Sequence, residues 1–254
     1  MYHRIAAPLA DVERDLCCAP ALFRAHMQYL SDRGYRVVDL SALVEAIERR
    51  RPVAPRSVVI TSDDGVSCMV ENALPILQEF GFAATCFVVS GALGRNKEWD
   101  RHEGMPLRRM LTAAECRTLA DGGVAIGSHT VTHAKLADAS PEVAAAEIRS
   151  SKAQLEDVLG RAVEHFAYPF GSFNRAAWSA VQAAGYRSAC STLPGTNTLR
   201  TDPFQLRRAY ITGRDDLQAF ALKLRFGGAP VESLKQAVKN RLEAAGLRAS
   251  PLAT

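Results

Sequence analysis

Helix-like stretches and apolar runs alternate along this chain, with a glycine at most of the changeovers. Four segments share the pattern: "FRAHMQYLSDRGYRVVDL", "ENALPILQEFGFAATCFVV", "AAECRTLADGGVAIGSH" and "AAWSAVQAAGYRSACS". In each, apolar positions recur at helical spacing, and Gly34, Gly81, Gly122 or Gly185 then fits the left-handed position past the helix end. The β-branched and aromatic residues that follow fit short strands. A fifth helix, "SPEVAAAEIRSSKAQLEDVLG", opens on Ser140 as cap with Pro141 in its first turn, and closes at Gly160. "HFAYPFG" then predicts another strand near 164–168. Helices alternating with apolar strands predict a parallel sheet with helical crossovers. With roughly six or seven such strands and no low-complexity linker, the expected fold class is α/β, a closed or nearly closed (β/α) barrel. It is expected over residues 1–226, with a surface helix and frayed tail over 227–254.

A chain of 254 residues is long enough for one such barrel. Its 48% hydrophobic and 23% charged residues are ordinary for a globular protein and exclude a disordered or fibrous one. The net charge of +4 is too small to imply a nucleic acid partner; it permits weak contact with an anionic membrane surface. No 18-residue apolar run is present, so no membrane span is expected. "MYHRIAAPLADVERD" lacks the apolar core of a signal peptide, and the six cysteines form no CxxC pair. Cys17 and Cys18, being adjacent, are poorly placed for a structural disulfide, so a reducing, cytoplasmic setting is the simplest expectation.

Candidate chemistry begins at "ITSDDGVS", residues 60–67, straight after the apolar Ser57–Val59. Asp63 and Asp64 repel each other and lose hydration where a strand leaves the core, yet Asp-Asp-Gly is also ordinary turn chemistry. "SHTVTH" changes the balance. His129 and His133, four apart, bring two imidazoles to one side of a turn, a spacing that suits a metal ion. Asp64 with these two histidines makes a two-His, one-carboxylate set that leaves positions open for water and substrate. All three lie at the C-terminal ends of predicted strands, the face where barrel active sites are built. The doublet then divides: Asp64 ligates, and Asp63 takes a proton from water.

With "TSDDG" (61–65), "SHTVTH" (128–133) and "AYPFGSFN" (167–174) in this order, the chain resembles the polysaccharide deacetylases with a NodB-type domain. The resemblance covers roughly residues 1–225. It implies a distorted (β/α) barrel that removes acetyl groups from N-acetylated sugars, glycans or lipid-linked saccharides with one divalent metal ion, usually Zn2+. It further implies Asp63 as catalytic base, Asp64, His129 and His133 as metal ligands, and the backbone N–H of Phe170 as an oxyanion donor. Tyr168 and Pro169 of the third motif are expected at the substrate. Trp99, in the polar loop Gly91–Pro106, is expected to stack on a sugar ring, with anchoring of the loop as the alternative.

Three departures from the family pattern stand out. Ser62 replaces a usual phenylalanine, Ala167 and Tyr168 stand where an arginine often steadies the base, and no C-terminal leucine-x-histidine motif supplies a general acid. "MYHRI" resembles the opening of the permuted branch that includes poly-N-acetylglucosamine deacetylases. There an N-terminal strand replaces the missing last strand and brings its own histidine, which makes His3 the expected acid, its pKa raised by a carboxylate. His165 is expected in packing, His26 and His102 in solvent or structure, and Asn197 and Arg208 are open as substrate contacts. Two rival functions stay open: hydrolysis of another C–N bond, as in a cyclic amide or ureide, and an inactive glycan-binding barrel.

Overall fold

Strands that are apolar on both faces need helices on one side and a packed interior on the other. The computed structural model, which describes residues 1–228 apart from the side chains of His102 and Glu103, meets both needs. In chain order the elements are α1 (Pro20–Asp32), β1 (Arg36–Val37), α2 (Leu40–Glu48), β2 (Ser57–Val58), β3 (Thr61–Ser62), α3 (Leu74–Phe80), β4 (Ala84–Val88), α4 (Ala113–Asp121), β5 (Val124–Ser128), α5 (Pro141–Leu159), β6 (His165–Ala167), α6 (Arg175–Ala183), β7 (Ser188–Cys190) and α7 (Leu217–Phe226). The helix and tail expected over 227–254 fall outside the described residues, except for Gly227 and Gly228. No described helix is long and apolar enough to cross a membrane.

β3 to β7 form one parallel sheet in sequence order, and β1 pairs with β2 in a separate parallel ribbon. Two irregular segments extend the curled sheet. Leu206 donates its N–H to Ala189 and accepts from Ser191, adding residues 206–211 beside β7. The N-terminal residues lie between that segment and β3: Ile211 N–H donates to Met1 O at 2.9 Å, while Tyr2 donates to Thr61 O at 2.8 Å and accepts from Asp63 at 3.0 Å. The N-terminal strand therefore takes the closing position, as expected for the permuted branch.

Alternation along the strands separates two cores. Phe87, Ala167, Cys190 and Leu206 cluster with Leu40, Val44 and Ile47 of α2. Cys86, Val88, Phe166 and Tyr168 face the other way, into the larger core shared with α1, α3, α5 and α6. Two local expectations are corrected. Gly122 is not left-handed; the next residue, Gly123, takes that conformation at φ 92°. The predicted run through Pro75 divides into a π-helical turn, Met69–Ala73, and α3, because proline has no N–H for the preceding turn and is tolerated only in a helix's first turn.

Candidate active site

The aspartate doublet works because the backbone turns between its members. Asp64 and Gly65 are both left-handed, at φ 75° and 82°, a conformation that Asp tolerates and glycine favours. Asp63 thus points to one side of the cleft and Asp64 to the other. Asp63 receives a two-pronged clasp from Arg208, Nη1 to Oδ1 at 2.6 Å and Nη2 to Oδ2 at 2.7 Å. Burial raises the Asp63 carboxyl, but the Arg208 guanidinium, with His129 and His3, more than offsets it and holds the group below its usual range. The steadying arginine that the third motif lacks is present after all. It comes from the 206–211 segment, which makes Arg208 a partner of Asp63 and not a free substrate contact.

Asp64 faces the histidines. Its Oδ1 lies 3.3 Å from His133 Nε2 and 3.7 Å from His129 Nε2, and Lys97 Nζ bonds its Oδ2 at 2.9 Å. Burial raises this carboxyl too, yet Lys97, with His133, holds it well below the ordinary value. Both neighbouring aspartates are therefore ionised together, each beside its own cation.

His129 continues from β5, and its Nδ1–H donates to Ala167 O at 2.7 Å, which leaves the Nε2 lone pair facing Asp64. Burial lowers its pKa to about 4, so the imidazole is neutral, the form that ligates. The loop to His133 is bent, with Thr130 at φ 66° and His133 at φ 63°, and Glu147 of α5 accepts the Val131 and Thr132 N–H groups. Gly91 permits the close approach of this loop: a Cβ there would meet Val131 O at 2.6 Å. The His133 ring packs between Trp99, stacked at 4.7 Å, and Phe170 at 4.5 Å. One ligand atom from each of Asp64, His129 and His133 lies within 4.8 Å of the others. That donor set and span fit a divalent cation with open coordination positions.

His3, Asp63, Asp64, Trp99, His129, His133 and Phe170 all line one cleft of about 610 Å³. Phe170 is left-handed at φ 58° and 49% exposed, the strained turn of the third motif. Tyr168 and Pro169 are corrections. Tyr168 is fully buried, stacked on Phe173 at 4.4 Å with its O–H donated to Phe204 O, because strand alternation sends it to the helix side with Phe166. Pro169 is buried behind the turn and does not line the cleft. Asn197 holds the Arg207 backbone and lines a separate, mainly apolar cavity of about 230 Å³.

His3 sits edge-on to Tyr210 at 5.2 Å, and Ser62 Oγ donates to the His3 carbonyl at 3.1 Å, a contact phenylalanine would not make. Its electrostatics correct the expectation. Burial lowers the His3 pKa, Lys97 and Arg208 add to that, and Asp64 and Asp63 do not offset it. The other histidines are structural where described: His26 is buried between Tyr2 O–H and Asp215 O, and His165 between the Ser41 and Ser188 hydroxyls. Lys97, Asp100 and Tyr210, which also line the cleft, carry no sequence signal of their own.

The sequence profile described as "Polysaccharide deacetylase" matches residues 50–189. YxkH of Bacillus subtilis (strain 168) is 26% identical over 235 residues, 92% of this chain and 76% of that protein. The poly-β-1,6-N-acetyl-D-glucosamine N-deacetylase of Escherichia coli (strain K12) is 29% identical over 83 residues, 33% of this chain and 12% of the enzyme. The Streptococcus pyogenes deacetylase PplD, solved in complex with acetate, superposes with a TM-score of 0.76 at 25% identity, over 88% of this chain and 96% of its own. A match across more than half of the chain, on a barrel of the same build, places the protein in the polysaccharide deacetylase family.

Proposed function

We propose that this protein is a metal-dependent N-deacetylase of glycans or lipid-linked saccharides containing N-acetylhexosamine, releasing acetate and leaving a free amine. The observation that carries the reading is the division of the doublet, with Asp63 clasped by Arg208 and Asp64 turned toward the imidazoles of His129 and His133. Family membership supports acetyl removal, and similarity to an N-acetylglucosamine N-deacetylase over 83 residues supports a sugar amide. Asp64, His129 and His133 would hold a divalent cation, zinc being well suited to two imidazoles and a carboxylate, and such an ion would supply Lewis acidity to the acetamide carbonyl and to the attacking water.

The chain's own groups do the rest. Asp63, kept ionised and oriented by Arg208, accepts a proton from the attacking water. The Phe170 N–H donates to the carbonyl oxygen as negative charge develops there. His3 enters as a neutral imidazole, so it acts as a relay and not as a standing acid: it takes up the proton that Asp63 accepted from the water and passes it to the departing nitrogen, which returns Asp63 to its ionised state. Trp99, Phe170 and Tyr210 give the cleft aromatic surface suited to a sugar ring.

Acetate release from β-1,6- and β-1,4-linked N-acetylglucosamine oligosaccharides tests the reading. Wild type with bound metal should release acetate. Asp63→Asn should keep its metal and lose about a hundredfold or more in turnover, whereas His133→Ala should lose both. Metal-loaded wild type that releases no acetate from either series would overturn the proposal.

A further inference from the structure

The metal reading of Asp64, His129 and His133 leaves the role of Lys97 unexplained. Its side chain is 4% exposed, and its ammonium donates to Asp64 Oδ2 at 2.9 Å and to Asp100 Oδ1 at 2.8 Å. The other Asp100 oxygen is held by the fully buried Arg4, which also clasps Glu13. The Lys97 ammonium is therefore held between two buried carboxylates and cannot swing into water without leaving Asp64 short of its cation. Each cleft carboxylate in this group already has a cation: Asp63 has Arg208, Asp64 has Lys97, and Asp100 has Arg4.

We propose that Lys97 is a resident cation that shares Asp64 with the metal ion. It occupies Oδ2, so Asp64 ligates through Oδ1 alone, and its charge loosens the metal. The inference rests on the metal reading given above. Three physical effects carry it. The N–H donation engages the oxygen that would complete two-oxygen ligation, which preserves a coordination position for water or substrate. Like charges held close in a buried site repel strongly, since little water or salt screens them. A carboxylate already matched by an ammonium also donates less to the ion, which stays the more electrophilic.

Titration with Co2+ against a chromophoric chelator, recording the visible cobalt bands, tests the inference on wild type, Lys97→Met, Lys97→Gln, Lys97→Arg and His133→Ala. Lys97→Met should bind Co2+ about tenfold tighter or more, with weaker visible bands as the freed Oδ2 raises the coordination number. Lys97→Gln, which keeps an N–H for Oδ2 and a gentler fit in the fold, should bind tighter with bands like wild type. Lys97→Arg should match wild type in affinity. Unchanged or weaker affinity in both neutral variants, with His133→Ala losing the metal, would overturn the role of Lys97 alone. A wild type that binds no Co2+, or binds it as well without His133, would overturn the metal reading itself.

Discussion

Asp63 and Asp64 are the same residue type, one peptide bond apart, and what separates their roles is which cation each meets. Asp63 and Asp64 were legible as a pair, and His129 with His133, because each motif is contiguous and its chemistry is declared by residue type and spacing. Arg208 was not legible in that role: it reaches Asp63 across 145 residues, and nothing around "LRRAY" marks it. Tyr168 was misplaced for the opposite reason. It stands two residues before Phe170 in sequence, but the alternation that continues from β6 turns it away from the cleft. His3 is the residue on which the proposed proton path depends. His3→Gln should fold, bind metal as wild type does, and lose about a hundredfold in turnover, the usual scale for a lost proton-transfer group. Steady-state kinetics with metal content measured on the same sample would check this, and full activity would remove His3 from the path.

At the scale of elements, the N-terminal segment does two jobs through alternate residues. The segment pairs with β3 through Tyr2; His3 faces the site, while Tyr2 turns the other way into the core against Phe23 and His26, and Arg4 into a buried cluster with Glu13 and Asp100. Strand positions β3 to β7 were readable from apolar runs and helix-ending glycines. Residues 1–4 were read as a closing strand only through the resemblance of "MYHRI" to the permuted branch, and residues 206–211 were not read as one, because both segments are short and irregular and only their partners make them strands. Arg4→Met should destabilise the fold by about 3–5 kcal/mol, the cost of leaving buried charges short of a partner. Urea unfolding of wild type and variant would read this as a lower midpoint at similar slope. An unchanged midpoint would mean that the cluster contributes nothing to holding the segment.

Across the whole molecule, buried neutral histidines set the response to acid. Burial lowers His129 and His165 to about 4, and lowers His3 and His26 as well. In the unfolded chain these groups titrate near 6.5, so below that pH the unfolded state binds more protons than the folded one. Their stabilisation is complete above 6.5 and is lost as pH falls toward 4, on the order of 3 kcal/mol for each of His129 and His165. Thermal unfolding of chelator-treated protein should show Tm falling steadily from about pH 7 to about pH 4.5; a flat profile would contradict the buried neutral state. The ring of strands has a further consequence, in the order of assembly. Met1 bonds Ala209 across 208 residues and Tyr210 bonds Asp15 across 195, so the seam closes through the longest loops among the described residues. Contacts of such separation form late, because the entropy of closing the loop is met before the seam returns any contact energy. During synthesis from N- to C-terminus, the aspartates and both site histidines precede Arg208 by dozens of residues, and the N-terminal strand waits unpaired on one side until residues 206–211 exist. Residues 1–4, made before the rest of the barrel, are thus among the last to be seated, and the site is completed only when the barrel is.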